Sequence, residues 1–322
     1  MKLPRMLAVT GANGFVGRAL CSDALERGIR VRGITRNPCQ LQPGIENIPV
    51  GDVDGGTDWT QALAGCDVVV HLAARVHIMH DNSKNPLAEF RRVNTAGTLR
   101  LARCAIESGV RRMVNVSSIG VNGSSTRGDL KFTDLDIPDP HNPYSLSKWE
   151  AEQALREIQQ QGAMEIVTVR PPLIYGPGVG GNFLRLLGAV QRGIPLPLAS
   201  TENYRDLLYV GNLTNFLLLC AMHPGANGGT YLVSDGTPLS TSVLLRGLAK
   251  ALGVPSRIFP VPPFLLQMIG HITGHSAEFH RLLSSLRVDN SKAQSELDWK
   301  PLYTLEQGLQ ATANWFQEKH SR

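Results

Sequence analysis

The strongest constraint on this chain lies in its first twenty residues. Thr10-Gly11-Ala12-Asn13-Gly14-Phe15-Val16-Gly17 follows a short apolar run, Met6 to Thr10, and opens a helical stretch, Gly14 to Arg27. In a GxxGxxG spacing between strand and helix, Gly11 permits the tight turn, Gly14 lets backbone approach a pyrophosphate, and Gly17 allows close helix-to-strand contact. Free N–H groups at the helix start then meet the anion. The turn therefore predicts a bound dinucleotide against Gly11, Asn13, Gly14, Phe15, Val16 and Gly17.

The remaining pattern agrees. Apolar runs at Ile29–Thr35, Ile45–Val50, Val68–Leu72, Arg112–Ser117 and Glu165–Arg170 alternate with helical stretches at 57–64, 86–108 and 143–161. This alternation is that of βαβ units, so the predicted fold is α/β, a Rossmann-like doubly wound parallel sheet of six strands. After Arg170, prolines and glycines break the periodicity. Residues 206–210 and 230–233 are short segments that return towards the sheet, while 239–252, 263–272, 290–297 and 305–316 read as helices of a second lobe. The expected division is 1–172 plus returning segments near 204–235 for the dinucleotide domain, and 173–203 with 236–322 for a smaller C-terminal substrate-binding lobe. A cleft between them lies at the carboxyl ends of the strands.

At the end of the second strand an NAD site places an acid on the ribose hydroxyls. Here the sequence reads Thr35-Arg36-Asn37. Arg36 suits a 2′-phosphate, which favours NADP over NAD, and it equally suits stacking on adenine. Asp52, followed by Val53, is placed to accept from the adenine amino group or to cap a turn.

Tyr144 and Lys148 stand four residues apart on one face of a helix that Asn142-Pro143 starts. One crossover earlier a strand ends in Val116-Ser117-Ser118, whose hydroxyls emerge beside the nicotinamide. A phenol is normally protonated at neutral pH, and a nearby ammonium is expected to draw it towards proton-transfer range.

With these residues in view, the chain resembles the extended short-chain dehydrogenase/reductase family, in its nucleotide-sugar epimerase/dehydratase branch. The glycine turn, His71-Leu72-Ala73-Ala74, Asn94, Ser117-Ser118, the Tyr-Lys pair and Arg170-Pro171-Pro172-Leu173-Ile174-Tyr175-Gly176-Pro177 carry the resemblance over nearly the whole length. It implies Tyr144 as acid/base, Lys148 on the nicotinamide ribose and phenol, and Ser118 on the reacting oxygen. The further cofactor contacts expected are Leu72, Ala73, Ala74, Asn94, Ser117 and Pro171. Arg75, Ser118, Asn182 and Arg205 are expected on a UDP-linked sugar, and the assembly is expected to be a homodimer. Departures narrow the chemistry. Where the 4,6-dehydratases carry an Asp-Glu pair after the serine-like position, this chain has Ile119-Gly120, and neither moves a proton. Arg36 and Leu173 pull away from a standard 4-epimerase. These departures favour a reductase, and the segments 73–79, 116–123 and 142–148 resemble a bacterial surface-polysaccharide subgroup, which implies reduction of a UDP-4-keto-6-deoxy-N-acetylhexosamine at C4. A 4-epimerase with tightly held NAD is the alternative, and a non-catalytic NADP-binding sensor or scaffold is the alternative of another class.

Composition excludes several other classes. The net charge of +5, from 32 basic and 27 acidic residues, is too dilute for a nucleic-acid footprint. Five scattered cysteines without CxxC spacing read as reduced thiols of a cytoplasmic protein. No apolar run reaches the roughly 18–20 residues of a membrane span, and 261–272 reads as a buried lobe helix. His77 and His80 have i,i+3 spacing but no third ligand, so no metal is expected. Arg281 and Arg287 are phosphate-clamp candidates with poorer placement than Arg205.

Overall fold

The structure, a computed structural model, describes residues 4–76, 85–272 and 282–320. Its centre is a seven-stranded, wholly parallel sheet. The first six strands are β1 (Leu7–Thr10), β2 (Val31–Thr35), β3 (Ile45–Pro49), β4 (Val68–His71), β5 (Arg112–Val116) and β6 (Glu165–Arg170). In space they run 3-2-1-4-5-6, with a further strand, β9 (Thr230–Leu232), beyond β6. The order reverses between β1 and β4, which opens a crevice at the carboxyl ends of those two strands.

The strands alternate their side chains between two apolar layers, as strands covered on both faces do. Val9, Val70 and Val114 meet α1 (Phe15–Glu26) and α7 (Val210–Met222) on one face. Ala8, Val69 and Met113 meet α4 (Gly97–Glu107) and α5 (Pro143–Gln160) on the other. A third apolar cluster forms the lobe around α6 (Gly181–Gln191), α8 (Thr241–Leu252) and the last helix, α11 (Leu305–His320).

Several sequence expectations change. The single helix expected over 86–108 is α3 (Pro86–Phe90), a π-helical stretch Arg91–Ala96 and then α4. Residues 206–210 do not rejoin the main sheet. They supply β8 (Leu207–Tyr209), which pairs with β7 (Leu173–Tyr175) in a separate two-stranded sheet; 230–233 does return, as β9. Helices α6 and α7 had no counterpart in the periodicity reading. α10 (Ser291–Leu297) was assigned to the lobe, yet Ala293 and Leu297, with Trp299, are buried in the core beneath the sheet.

Helix α9 (Pro263–Ile272) forms as expected but is not a buried lobe helix. Leu266 is buried in the lobe core, whereas Phe264, Met268 and Ile272 are 66%, 52% and 76% exposed. High apolar content does not report burial when the apolar residues fall on two faces. Among the described residues no helix is long and apolar enough to cross a membrane.

Candidate active site

The glycine turn leaves β1 with Gly11 at φ +68°, a left-handed conformation that favours glycine. A Cβ at Gly17 would stand 2.1 Å from the Gly11 carbonyl oxygen and 2.8 Å from Ala12 Cα, so only a hydrogen fits where α1 meets the turn. A Cβ at Gly11 would press Ala73 N at 3.1 Å. The turn and the segment after β4 thus form two closely set walls of a cavity of about 750 Å³ at the crevice. This backbone cradle fits a dinucleotide.

Most of the expected cofactor residues line that one cavity. Gly11, Asn13, Gly14, Phe15, Val16 and Gly17 form one end with Arg36 and Val53, and Leu72, Ala73 and Ala74 form its wall. Ser117, Ser118, Tyr144, Lys148 and Pro171 close the other end. Sequence reasoning missed Trp59 and Val93, which complete the apolar wall. They come from a loop and a π-helical stretch with no motif of their own, and only burial in three dimensions reveals them.

Five expected residues lie elsewhere. Asp52 is exposed and sits 3.4 Å from Arg36, carboxylate to guanidinium. Asn94 is buried behind the wall, where its side-chain oxygen accepts from Arg75 N (2.8 Å) and its amide donates to the Arg75 carbonyl (3.0 Å) and Ser147 Oγ (3.0 Å). The Arg75 guanidinium lies over the Phe90 ring. Asn182 is exposed in the first turn of α6. Arg205 donates to the Ser284 carbonyl and hydroxyl (3.1 and 3.2 Å), tying its strand end to the chain after 282. Arg287 reaches Asp129 (2.8 Å) and stacks over Tyr204. Arg281, His77 and His80 fall outside the described residues, among which no cluster suits a metal ion.

The first turn of α5 aims the Tyr144 and Lys148 side chains. Asn142 caps it by accepting from Ser145 N at 2.8 Å, and Pro143 takes the first helical position, where no N–H is needed. Tyr144 packs its ring edge-on against Phe90, and Ser118 bonds its hydroxyl. Ser118 in turn accepts from Gly120 N at 3.1 Å. Gly120 backs onto α5 so closely that a Cβ there would meet Ser145 Oγ at 2.5 Å. A side chain at 120 therefore requires the Ser145 hydroxyl to turn aside.

Burial controls the charges. It pushes the Tyr144 phenol up to about 12, with the Ser118 hydrogen bond opposing, and pulls the Lys148 ammonium down to about 8, with Glu152 opposing. The expected lowering of the phenol by Lys148 is thus corrected: desolvation outweighs attraction in this enclosed site. At neutral pH the pair is a neutral phenol and a cationic ammonium, the forms that donate a proton and bind hydroxyls.

Behind the site runs a directed hydrogen-bond chain. Leu72 N and Ala73 N donate to Thr10 Oγ1 (3.1 Å each), which leaves that hydroxyl to donate to His71 Nδ1 (2.8 Å). His71 Nε2 then donates to Thr98 Oγ1 (2.9 Å), and Thr98 donates to the Asn94 carbonyl (2.6 Å). Asn94 donates to Ser147 Oγ, which donates to the Tyr144 carbonyl (2.7 Å). Burial, with Lys148 adding to it, holds the His71 ring down at about 3, so it is neutral.

A model of the NAD dependent epimerase/dehydratase family matches residues 7–234. A UDP-glucose 4-epimerase of Vibrio cholerae is 40% identical over 323 residues, covering 100% of this chain and 98% of that protein. An N-acetyl-alpha-D-glucosaminyl-diphospho-ditrans,octacis-undecaprenol 4-epimerase of Escherichia coli O157:H7 is 29% identical, covering 95% of this chain and 93% of that protein. The solved structure of MoeE5 in complex with UDP-glucose and NAD superposes with a TM-score of 0.78 at 25% identity, covering 97% of this chain and 99% of that one. With its Rossmann-like sheet, glycine cradle and matching length, the chain belongs to the NAD dependent epimerase/dehydratase family, in its nucleotide-sugar branch.

Proposed function

We propose that this protein is a 4-epimerase of a UDP-hexose or UDP-N-acetylhexosamine that keeps NAD bound through turnover. The observation that carries the reading is the single cavity with the glycine cradle at one end and Ser118, Tyr144 and Lys148 at the other, with Ile119 and Gly120 where a dehydratase needs acids. Oxidation and re-reduction at one carbon need a hydride carrier and one acid/base, and none of the further acids that dehydration requires. The full-length likeness to the Vibrio cholerae UDP-glucose 4-epimerase supports the same choice. Arg36, the residue that favours NADP, faces the Asp52 carboxylate, which opposes a 2′-phosphate.

A bound nicotinamide would be held by the glycine turn and Lys148 and would supply the hydride acceptor and donor at sugar C4, with inversion requiring the 4-keto sugar to present its other face. In its phenolate form, once the phenol has lost its own proton, Tyr144 takes the C4 hydroxyl proton as that bond breaks and gives it back as the new C4 hydroxyl forms. Ser118 holds the same oxygen through both halves, so the donor is already placed where charge develops. Lys148, one helical turn along, holds the ribose hydroxyls and stabilises the phenolate that Tyr144 must become.

Purified protein denatured without added cofactor should release NAD in stoichiometric amount. The native protein should interconvert UDP-N-acetylglucosamine or UDP-glucose with the C4 epimer unaided. Protein that carries no NAD but consumes NADPH on adding a UDP-4-keto-6-deoxy sugar would instead establish the C4 ketoreductase, the second reading, which the position of Arg36 at the cavity end favours.

A further inference from the structure

The lobe carries an apolar stripe that the cofactor cavity does not use. Phe264, Met268 and Ile272 recur at i, i+4 and i+8 on α9, which places them on one face, and all three are more than half exposed. The stripe continues into the preceding chain. Phe259 is 44% exposed and pairs through its N–H with the Leu196 carbonyl (3.0 Å), which brings the 192–198 segment and the 42% exposed Ile194 alongside.

The chain segments that carry this stripe hold basic residues and no acids. Between 181 and 201, and again between 236 and 272, the chain contains no aspartate or glutamate, whereas it holds Arg185, Arg192, Arg246, Lys250 and Arg257. Arg192 and Arg257 are exposed at the segment that flanks the stripe, and the Arg257 guanidinium lies against Gly193. The rest of the chain is close to balanced, so the basic excess is concentrated here. Exposed apolar side chains beside exposed arginines suit an anionic lipid surface, because apolar side chains enter the acyl boundary while arginines remain at the headgroups.

We infer that the exposed face of α9, flanked by Arg192 and Arg257, docks this protein on an anionic membrane surface. The helix is too short to span, and it lies in the interface plane, buried by its apolar side. This surface lies outside the cofactor cavity, so the inference stands apart from the proposed reaction.

The test is co-sedimentation of the full chain with vesicles of phosphatidylcholine, with and without phosphatidylglycerol. Wild-type protein is expected to pellet with phosphatidylglycerol vesicles, and added salt should weaken that binding. The double substitution Phe264→Ser/Met268→Ser should lower partitioning at least about 10-fold, and Arg192→Ser or Arg257→Ser should lower it by roughly 5-fold each. Thermal stability and retained NAD should be unchanged, because all four side chains are exposed and distant from the cavity. Wild-type protein that stays in the supernatant with anionic vesicles would overturn the inference, as would serine variants that pellet equally well. A wild-type dimer that the double substitution splits, without vesicle binding in either form, would assign the stripe to a second copy of the chain instead.

Discussion

Burial acts differently on Tyr144 and Lys148, costing stability at neutral pH only through the ammonium. The phenol is expected to be the group that moves the proton, so Tyr144→Phe should retain NAD yet lower turnover at least about 10²-fold, as steady-state kinetics on cofactor-loaded protein will measure. Lys148 carries a second, opposite effect. Its ammonium titrates at about 8 when folded and at its ordinary value of 10.5 when unfolded, so the folded state binds the proton less well. That cost is full below pH 8 and fades as pH rises to 10.5. Lys148→Met should therefore lose turnover and NAD affinity while gaining on the order of 1–3 kcal/mol of stability at pH 7, with the gain vanishing near pH 10.5. Denaturant titrations at both pH values check the sign. Both residues were legible in the sequence, because a Tyr-x-x-x-Lys on a capped helix is a local pattern. Their charge states were not, because desolvation depends on what folds over them.

Between elements, the hydrogen-bond chain from Thr10 through His71, Thr98, Asn94 and Ser147 joins β1, β4, the π-helical stretch, α4 and α5. Thr98→Val would leave the buried His71 Nε2–H without an acceptor, and should cost about 1–3 kcal/mol of stability and lower turnover, while Thr98→Ser should restore both. The neutral ring also has a pH signature. His71 binds a proton near pH 6.5 when unfolded and only near 3 when folded, so its contribution to stability is present above 6.5 and is lost as pH falls towards 3. The glycine cradle is the second junction. Gly17→Ala sets a methyl 2.1 Å from a backbone oxygen, and should fold with an altered turn and purify without NAD, as absorbance and mass spectrometry will report. Strand positions and the glycine turn were readable, since periodicity and spacing are local. The partners of Asn94 were not readable for the opposite reason: Arg75 and Ser147 are 19 and 53 residues away.

Across the whole molecule the chain crosses between sheet and lobe several times, and α10 is the element that lies on the other side from its expected place. The chain leaves the sheet after Pro172, returns through α7 and β9, and leaves again for α8 and α9. It then comes back as α10 and ends in the lobe as α11. Asp235 fastens this arrangement by accepting from Tyr209 N, Asn212 Nδ2 and Tyr175 Oη at 2.8–3.1 Å. Neither part can complete its core alone, so heat should unfold the protein in one transition, with tyrosine and tryptophan signals coinciding. Two separated calorimetric peaks would show that the lobe folds independently. Composition and breaks in periodicity marked that a second lobe exists. They could not assign α10, whose Leu297 and Trp299 look equally apolar whichever core receives them.

The close contact between Gly120 and α5 also sets what a new side chain at 120 must displace. A Cβ there meets Ser145 Oγ at 2.5 Å, whereas the Ser145 Cβ lies at an ordinary 3.5 Å. The obstacle is one rotatable hydroxyl and not the helix backbone, so position 120 admits a side chain when Ser145 turns its hydroxyl aside or is replaced by alanine.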